Sequence, residues 1–340
     1  MKRIDSADNQ HPRFLLVCKQ LSMVLLLNWW IPGVPAQPEW RPSRNVEIIV
    51  QVGPGGSSDR TARQMQRILQ ENRLLETTIT VVNKPGGGNV IAFNYLTQHA
   101  GDGHYWLINS VTQLTAYASG QSRLSYTEVS PLAMLFSEYA ACAVRSDSQI
   151  KDGRTLLEIL VKNPQAATIA ISPGFGTPNH IALAMAVQAA GGDASKLKTV
   201  AFASSAETVA ALLGGHVDVV VSPASTLQAH VIAGKLRAVA VSSPERLSGA
   251  LANAPTWREL GAPAVFGNWR GAVGPKGLTD AQVSYWDEIF RRLVMTPDWK
   301  NYLDENMLTP LFLDGKESKK FIEAEYKKIT EILKSIHFSK

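Results

Sequence analysis

Two short loops carry the residues best suited to hold an anion. The first is Gly53-Pro54-Gly55-Gly56-Ser57-Ser58-Asp59, which follows the apolar run Val46–Val50 and precedes a helical pattern. The second is Ser172-Pro173-Gly174-Phe175-Gly176-Thr177-Pro178-Asn179, between Ala167–Ile171 and His180-Ile181-Ala182-Leu183-Ala184-Met185. Each reads as strand, glycine turn, helix start. A helix start has unpaired N–H groups and a partial positive charge, both of which suit a carboxylate or phosphate. A third glycine loop, Pro85-Gly86-Gly87-Gly88-Asn89, precedes another helical stretch. Glycines serve tight turns as well as close approach of a ligand to the backbone, so one such loop decides little. Three at one sheet edge favour binding.

These loops yield the candidate ligand-binding residues Pro54, Gly55, Gly56, Ser57, Asn89, Gly176, Thr177 and Asn179. Thr112 and Ser222 join them, because each lies just beyond a strand pattern (105–109 and 217–221), where open α/β sheets bind ligands. Asp59 reads as a helix cap, together with Ser58, more than as a ligand contact. His180 reads either as a ligand contact or as a residue packing its helix. Arg270, beside Trp269, reads as pairing with a carboxylate of a ligand, as pairing with an internal acid, or as lying on the surface.

Catalytic and cofactor motifs are missing. Neither glycine loop fits G-x-G-x-x-G, and no Lys-Ser/Thr follows to make a P-loop. There is no G-x-S-x-G elbow and no zinc spacing of His or Cys. Cys142 sits in an apolar stretch and reads as a buried small residue. No catalytic residue, metal site or cofactor is therefore expected.

Alternation of β-branched runs with helical stretches through the chain implies an α/β architecture. Strands are expected near 47–51, 78–82, 105–109, 167–171, 198–202, 217–221 and 237–241. Helices are expected near 59–72, 90–98, 154–162, 178–190, 205–213, 224–232, 279–295, 297–306 and 316–336. The apolar stretch Leu132–Val144, with Glu138 in its middle, reads as a passage between two lobes, and Phe266–Pro275 as the return. The expected organisation is a leader at 1–36, a first part of domain 1 at 44–143, domain 2 at 144–263, and a return segment with C-terminal helices at 264–340.

The 340 residues are 45% apolar and 19% charged, which indicates a globular chain. Of the formal charge of +5, four bases against two acids in the first 36 residues leave +3 for the rest. That excess, without an arginine-rich run, argues against nucleic acid as a partner. The basic start, the apolar core Leu21–Ile31 and the small residues Val34-Pro35-Ala36 form the pattern of a cleaved secretory signal, with an uncleaved anchor as the alternative. Removal of the leader takes Cys18 and leaves Cys142 alone, so no internal disulfide is expected.

The ordered set of motifs resembles the Bug-type extracytoplasmic solute receptors of tripartite tricarboxylate transporters. It comprises Pro-Gly-Gly-Ser-Ser-Asp59, Asn83-Lys84-Pro85-Gly86-Gly87-Gly88 and Gly101-Asp102-Gly103-His104-Tyr105. It continues with Gly174–His180, Ala210-Ala211-Leu212-Leu213-Gly214-Gly215-His216-Val217-Asp218 and Ala233-Gly234-Lys235-Leu236-Arg237. The resemblance runs over roughly residues 44 to 335. It implies a two-domain periplasmic-binding-protein clamshell, each domain a mostly parallel sheet flanked by helices, closing on a small organic carboxylate. It further implies that Gly176, Thr177 and Asn179 hold a ligand carboxylate through backbone N–H and hydroxyl groups, and that Pro54–Ser57 close on the other end. The implied partners are the ligand and membrane transporter subunits, with a periplasmic monomer and no enzymatic activity. A sensor for a membrane signalling partner, or an exported enzyme on the same scaffold, are the alternatives. Asn89 stands where many members have another glycine, and Pro178 removes an N–H next to Thr177.

Overall fold

The apolar, β-branched run Val46-Glu47-Ile48-Ile49-Val50 forms strand β1 (Val46–Val50), whose alternate side chains enter different cores. Ile48 packs with Met65, Trp106 and Phe290, while Ile49 packs with Phe93 and Leu107. Successive side chains of a strand point to opposite faces, so this split places helices on both sides of the sheet. The computed structural model describes residues 40–86, 89–172 and 174–337. The expected leader, and Gly87, Gly88 and Pro173 of the loops, lie outside the described residues.

After β1 the chain runs α1 (Ser57–Glu71), β2 (Ile79–Asn83), α2 (Val90–Thr97), β3 (Tyr105–Ser110), α3 (Val111–Ala118) and the long β4 (Val129–Arg145). It continues through α4 (Gly153–Lys162), β5 (Ile169–Ile171), α5 (Pro178–Ala189), β6 (Thr199–Ala201), α6 (Ser205–Leu213), β7 (Val219–Pro223), α7 (Ala224–Ile232) and β8 (Leu236–Val241). The last elements are β9 (Gly267–Pro275), α8 (Asp280–Met295), α9 (Pro297–Glu305), β10 (Thr309–Asp314) and α10 (Gly315–Ser335). The strand order is β2-β1-β3-β9-β4-β7-β5-β6, with β8 and β10 also paired to β4. Strands β2, β1 and β3 are mutually parallel, as are β7, β5 and β6. Two parallel sheets flanked by helices are thus joined through antiparallel strands, and the fold is the expected two-domain α/β clamshell.

Strand β4 makes that join. Its residues Val129 to Tyr139 pair with β9, and Ala140 to Ala143 pair with β7. At about 3.3 Å per residue, 17 residues span about 55 Å, far more than one sheet of this size requires. The apolar stretch around Leu132–Val144 is therefore the passage between halves. β9 returns along β4 and pairs on its other side with β3, setting Ser110 opposite Arg270. Helix α10 adds a second tie. Its Ile322, Ile329 and Leu333 share one core with Val111 and Leu114 of α3 and Ile181 and Leu183 of α5.

Most expected elements form within a residue or two of their expected limits. Two were not foreseen. Helix α3 starts directly at the end of β3, with Ser110 serving as its N-cap and no glycine or proline marking the change. Strand β10 carries Pro310 and an irregular register between Pro310 and Leu313, which breaks its alternation. Among the described residues no helix is long and apolar enough to cross a membrane.

Gly271 in β9 lies against β4 where that strand is irregular. An added Cβ would stand 2.5 Å from the Ala133 carbonyl oxygen and 3.0 Å from the Met134 sulfur. Backbone cannot yield cheaply between two paired strands. Gly271→Ala is expected to lower stability by about 1–3 kcal/mol, read as a lower urea midpoint. A midpoint equal to wild type would show that β4 has slack at this contact.

Candidate ligand-binding site

Helices α1, α2 and α3 follow the carboxyl ends of β1, β2 and β3, and α5, α6 and α7 follow those of β5, β6 and β7. Both sheets therefore aim helix N-termini at their carboxyl edges, where β4 and β9 cross. These termini differ in how much of their positive end the chain itself neutralises.

The start of α1 is internally occupied. Its N-cap is Gly56, not Ser58 or Asp59, and Asp59 lies within the first turn. The buried Asp59 carboxylate reaches back to accept the Gly55 N–H at 2.8 Å, Asn83 Nδ2 at 2.9 Å and Arg63 Nε at 3.0 Å. Burial pushes its pKa up, but Arg63, the Gly55 N–H and Asn83 together outweigh that and hold it below the usual range. Gly55 also gives its carbonyl to Arg60 at 2.6 Å, and the Gly56 N–H donates to Gly53. Among the expected contacts of this loop, Ser57 keeps a first-turn N–H with no intrahelical acceptor. Pro54 is exposed at the tip.

The start of α5 is different. Its N-cap Thr177 makes no side-chain capping bond, Pro178 occupies the first turn, and no acidic residue follows in that turn. The Thr177 hydroxyl instead donates to the Gly174 carbonyl at 2.7 Å, which commits its hydrogen to the loop. Asn179 Nδ2 donates to the Ser172 carbonyl at 2.9 Å. Gly176, at φ 69°, donates its N–H to His180 Nδ1 at 3.0 Å. A side chain at that φ would be strained, so glycine is required there. His180 thus braces the loop from below through Nδ1, with the Phe175 ring edge-on at 5.6 Å. The first helical bond runs from Ile181 to Thr177, so the Asn179 N–H lies ahead of the intrahelical ladder.

A small cavity, with room for about one water, opens beside this helix end, where the two sheets meet. Pro178 and Asn179 form one wall, and Glu138, Tyr139, Asn268 and Phe266 of the crossing strands and their approach form the other. Glu138 accepts a hydrogen bond from the Ser225 hydroxyl, at the start of α7, at 3.3 Å. Arg270 Nη2 lies 3.8 Å from Glu138 Oε2. Arg270 Nη1 donates to Asn268 Oδ1 at 2.6 Å. Burial pushes the Arg270 pKa down, partly offset by Glu138. Of the three readings of Arg270, the structure gives the internal acid as its partner and buries the side chain away from the surface.

The remaining expected residues lie elsewhere. Asn89, at φ 81°, caps α2 and lines a separate cavity with Gln113 and Ser122. Thr112 is in the first turn of α3. Ser222 is fully buried and hydrogen-bonds Thr208 at 3.1 Å, so it faces a core and not the cavity beside α5. Cys142 is buried, and burial pushes its thiol up to about 12. Glu138, Asn268 and Ser225 were absent from the sequence-derived set. One signal did exist: a carboxylate inside an apolar strand is costly to bury unless it has a partner or a use.

Burial lowers the His180 pKa from 6.5 to about 4. The unfolded chain therefore takes up a proton at a higher pH than the folded chain. The stability associated with the neutral ring is fully present above pH 6.5 and is lost as pH falls toward about 4. That loss is expected to be on the order of 1–3 kcal/mol. His180→Asn keeps an acceptor near Nδ1 without the titration, and its urea midpoint should vary less across this window. Identical pH profiles for the two proteins would remove His180 as the source.

Residues 61–338 match the tripartite tricarboxylate transporter family receptor, TctC. BugT of Bordetella pertussis is 28% identical over 74% of this chain and 76% of its own length. A TctC solute-binding protein from Polaromonas, solved without ligand, superposes with a TM-score of 0.74 at 23% identity, covering 86% of this chain and 99% of that one. MatC from Rhodopseudomonas palustris, solved with bound malate, gives a TM-score of 0.68 at 20% identity, over 86% and 99% of the two chains. The fold is thus shared with these two solved structures, and by the match over residues 61–338 this chain belongs to the tripartite tricarboxylate transporter family receptors.

Proposed function

We propose that this receptor captures a small organic carboxylate between its two domains and delivers it to the membrane subunits of a tripartite tricarboxylate-type transporter, working in the periplasm as a monomer. The observation that carries this reading is the asymmetry of the two helix ends. Asp59 already supplies an anion to α1, whereas the start of α5 has no acidic or side-chain cap and borders the cavity. A ligand carboxylate there would accept the Asn179 N–H and meet the positive helix end. Charge-assisted bonds of this kind contribute about 1.5–3 kcal/mol each. The malate held by MatC, a protein of the same fold, supports a carboxylate as ligand.

The loop from Gly174 to Asn179 would act as the anchor, with Ser57 and its neighbours closing on the far side. Closure moves the two sheets about β4 and β9 and needs no chemistry on the ligand. Ligand at about 100 times its Kd adds about 2.7 kcal/mol to stability, so a matching acid should raise the melting temperature by several degrees.

Thr177→Asp provides a direct test. Aspartate is among the strongest N-cap residues, so it should satisfy the α5 N–H groups from within. The ligand-free variant is expected to melt at or above the wild-type temperature. Its affinity for any acid that stabilises the wild type should fall at least about tenfold by calorimetry. Undiminished affinity in a folded variant would move the anchor away from α5.

A further inference from the structure

Glu138 stands where β4 leaves one sheet for the other. Its strand partner on β9 is Asn268, its next neighbour Tyr139 pairs with Gly267, and Ala140 already pairs with Pro223 at the end of β7. Two residues earlier, Phe136 is opposite Arg270, which is itself opposite Ser110 at the end of β3. The carboxylate therefore lies between the carboxyl ends of both parallel sheets, on the floor of the cavity.

It is nine-tenths buried, at 9% exposure, yet poorly satisfied. A carboxylate has about four acceptor sites. The Ser225 hydroxyl, at 3.3 Å, is its hydrogen-bond donor among the described residues. Arg270 balances its charge from 3.8 Å, beyond hydrogen-bond range. The guanidinium spends Nη1 on Asn268 and on the Asn268 and Trp269 carbonyls, and its buried Nε has no partner among the described residues. Glu138 thus retains acceptor capacity at a wall shared with Pro178 and Asn179 of α5.

We propose that Glu138 is a specificity-determining residue that selects carboxylates bearing a hydrogen-bond donor, an ammonium or hydroxyl group, next to the carboxylate held by α5. This rests on the carboxylate reading above. A ligand with an apolar group at this wall would leave Glu138 buried and unmatched. A second carboxylate would bring acceptor against acceptor and like charge against like charge. A donor satisfies the wall, and because Arg270 already balances the charge, the wall requires a donor and not a net positive charge.

The test is calorimetry of the purified, ligand-free protein against three matched series. They are succinate, malate and aspartate; glutarate, 2-hydroxyglutarate and glutamate; and 3-phenylpropionate, phenyllactate and phenylalanine. Within whichever series binds, the hydroxy or amino member is expected to bind roughly ten- to a hundredfold tighter than the unsubstituted acid. The hydroxy and amino arms identify which donor is selected. Glu138→Gln, close in shape and itself carrying a donor, should shrink or invert that ratio. Equal wild-type affinity for substituted and unsubstituted members overturns the inference, as does an unchanged ratio in a Glu138→Gln protein that melts normally. If Glu138→Gln does not fold, the wild-type ratios decide alone. Absence of binding in all three series overturns the carboxylate reading and this inference with it. Binding of unsubstituted acids alone overturns only this inference.

Discussion

The structure depends on one continuous hydrogen-bonded strand serving two sheets. β4 pairs with β9 and β10 in its first part and with β7 and β8 in its second. A strand has only two edges, so a chain needing four strand partners must be long, and the partners must divide its length. The division falls between Tyr139 and Ala140. That point determines where the carboxyl ends of the two parallel sheets meet, and so where the cavity lies. β9 reinforces it by bridging β4 and β3, and α10 adds an apolar tie through α3 and α5. At that division the β4–β9 ladder ends at Tyr139 and Gly267 and the β4–β7 ladder begins at Ala140 and Pro223, so any relative motion of the two halves would pass through β4 there.

The helix ends at this meeting point are chemically unequal. At α1 the chain spends an acid of its own, fixed by Arg63, Asn83 and the Gly55 N–H. The loop is held in shape at the cost of part of its capacity for an external anion. At α5 the bracing comes instead from neutral groups. His180 accepts from Gly176, Asn179 donates to Ser172 and Thr177 donates to Gly174. These bonds order the loop without supplying negative charge to the positive helix end. Pro178 removes one first-turn N–H, and its fixed φ suits the first turn, so the helix is undisturbed.

Polar side chains also meet along this seam. Glu138, Arg270, Asn268 and Ser225 link the crossing strands to α7, and Thr61 meets Tyr302 at 3.0 Å between α1 and α9. Leaving such groups incompletely matched is costly in an apolar interior. That cost is tolerable where a ligand or ordered water completes the set.

The sequence by itself determined the local grammar. Alternating β-branched runs, glycine turns and apolar stripes located most of the strands and helices, and the ordered motifs identified the receptor family. The glycine loops were legible because a turn from strand to helix with positive φ leaves a compositional mark, as at Gly55 and Gly176. What a loop's N–H groups bond to leaves no such mark. Asp59 and Thr177 both stand near a helix start after a glycine turn, yet only the three-dimensional positions of Arg63, Asn83 and Gly174 show what each side chain bonds to. Ser222 followed a strand as a ligand-binding residue would, but the packing of α6 turned it toward Thr208. Glu138 was visible only as an acid in an apolar run. Its place at the cavity follows from the register of β4 against β9 and β7, a non-local pairing that the residues around it do not encode.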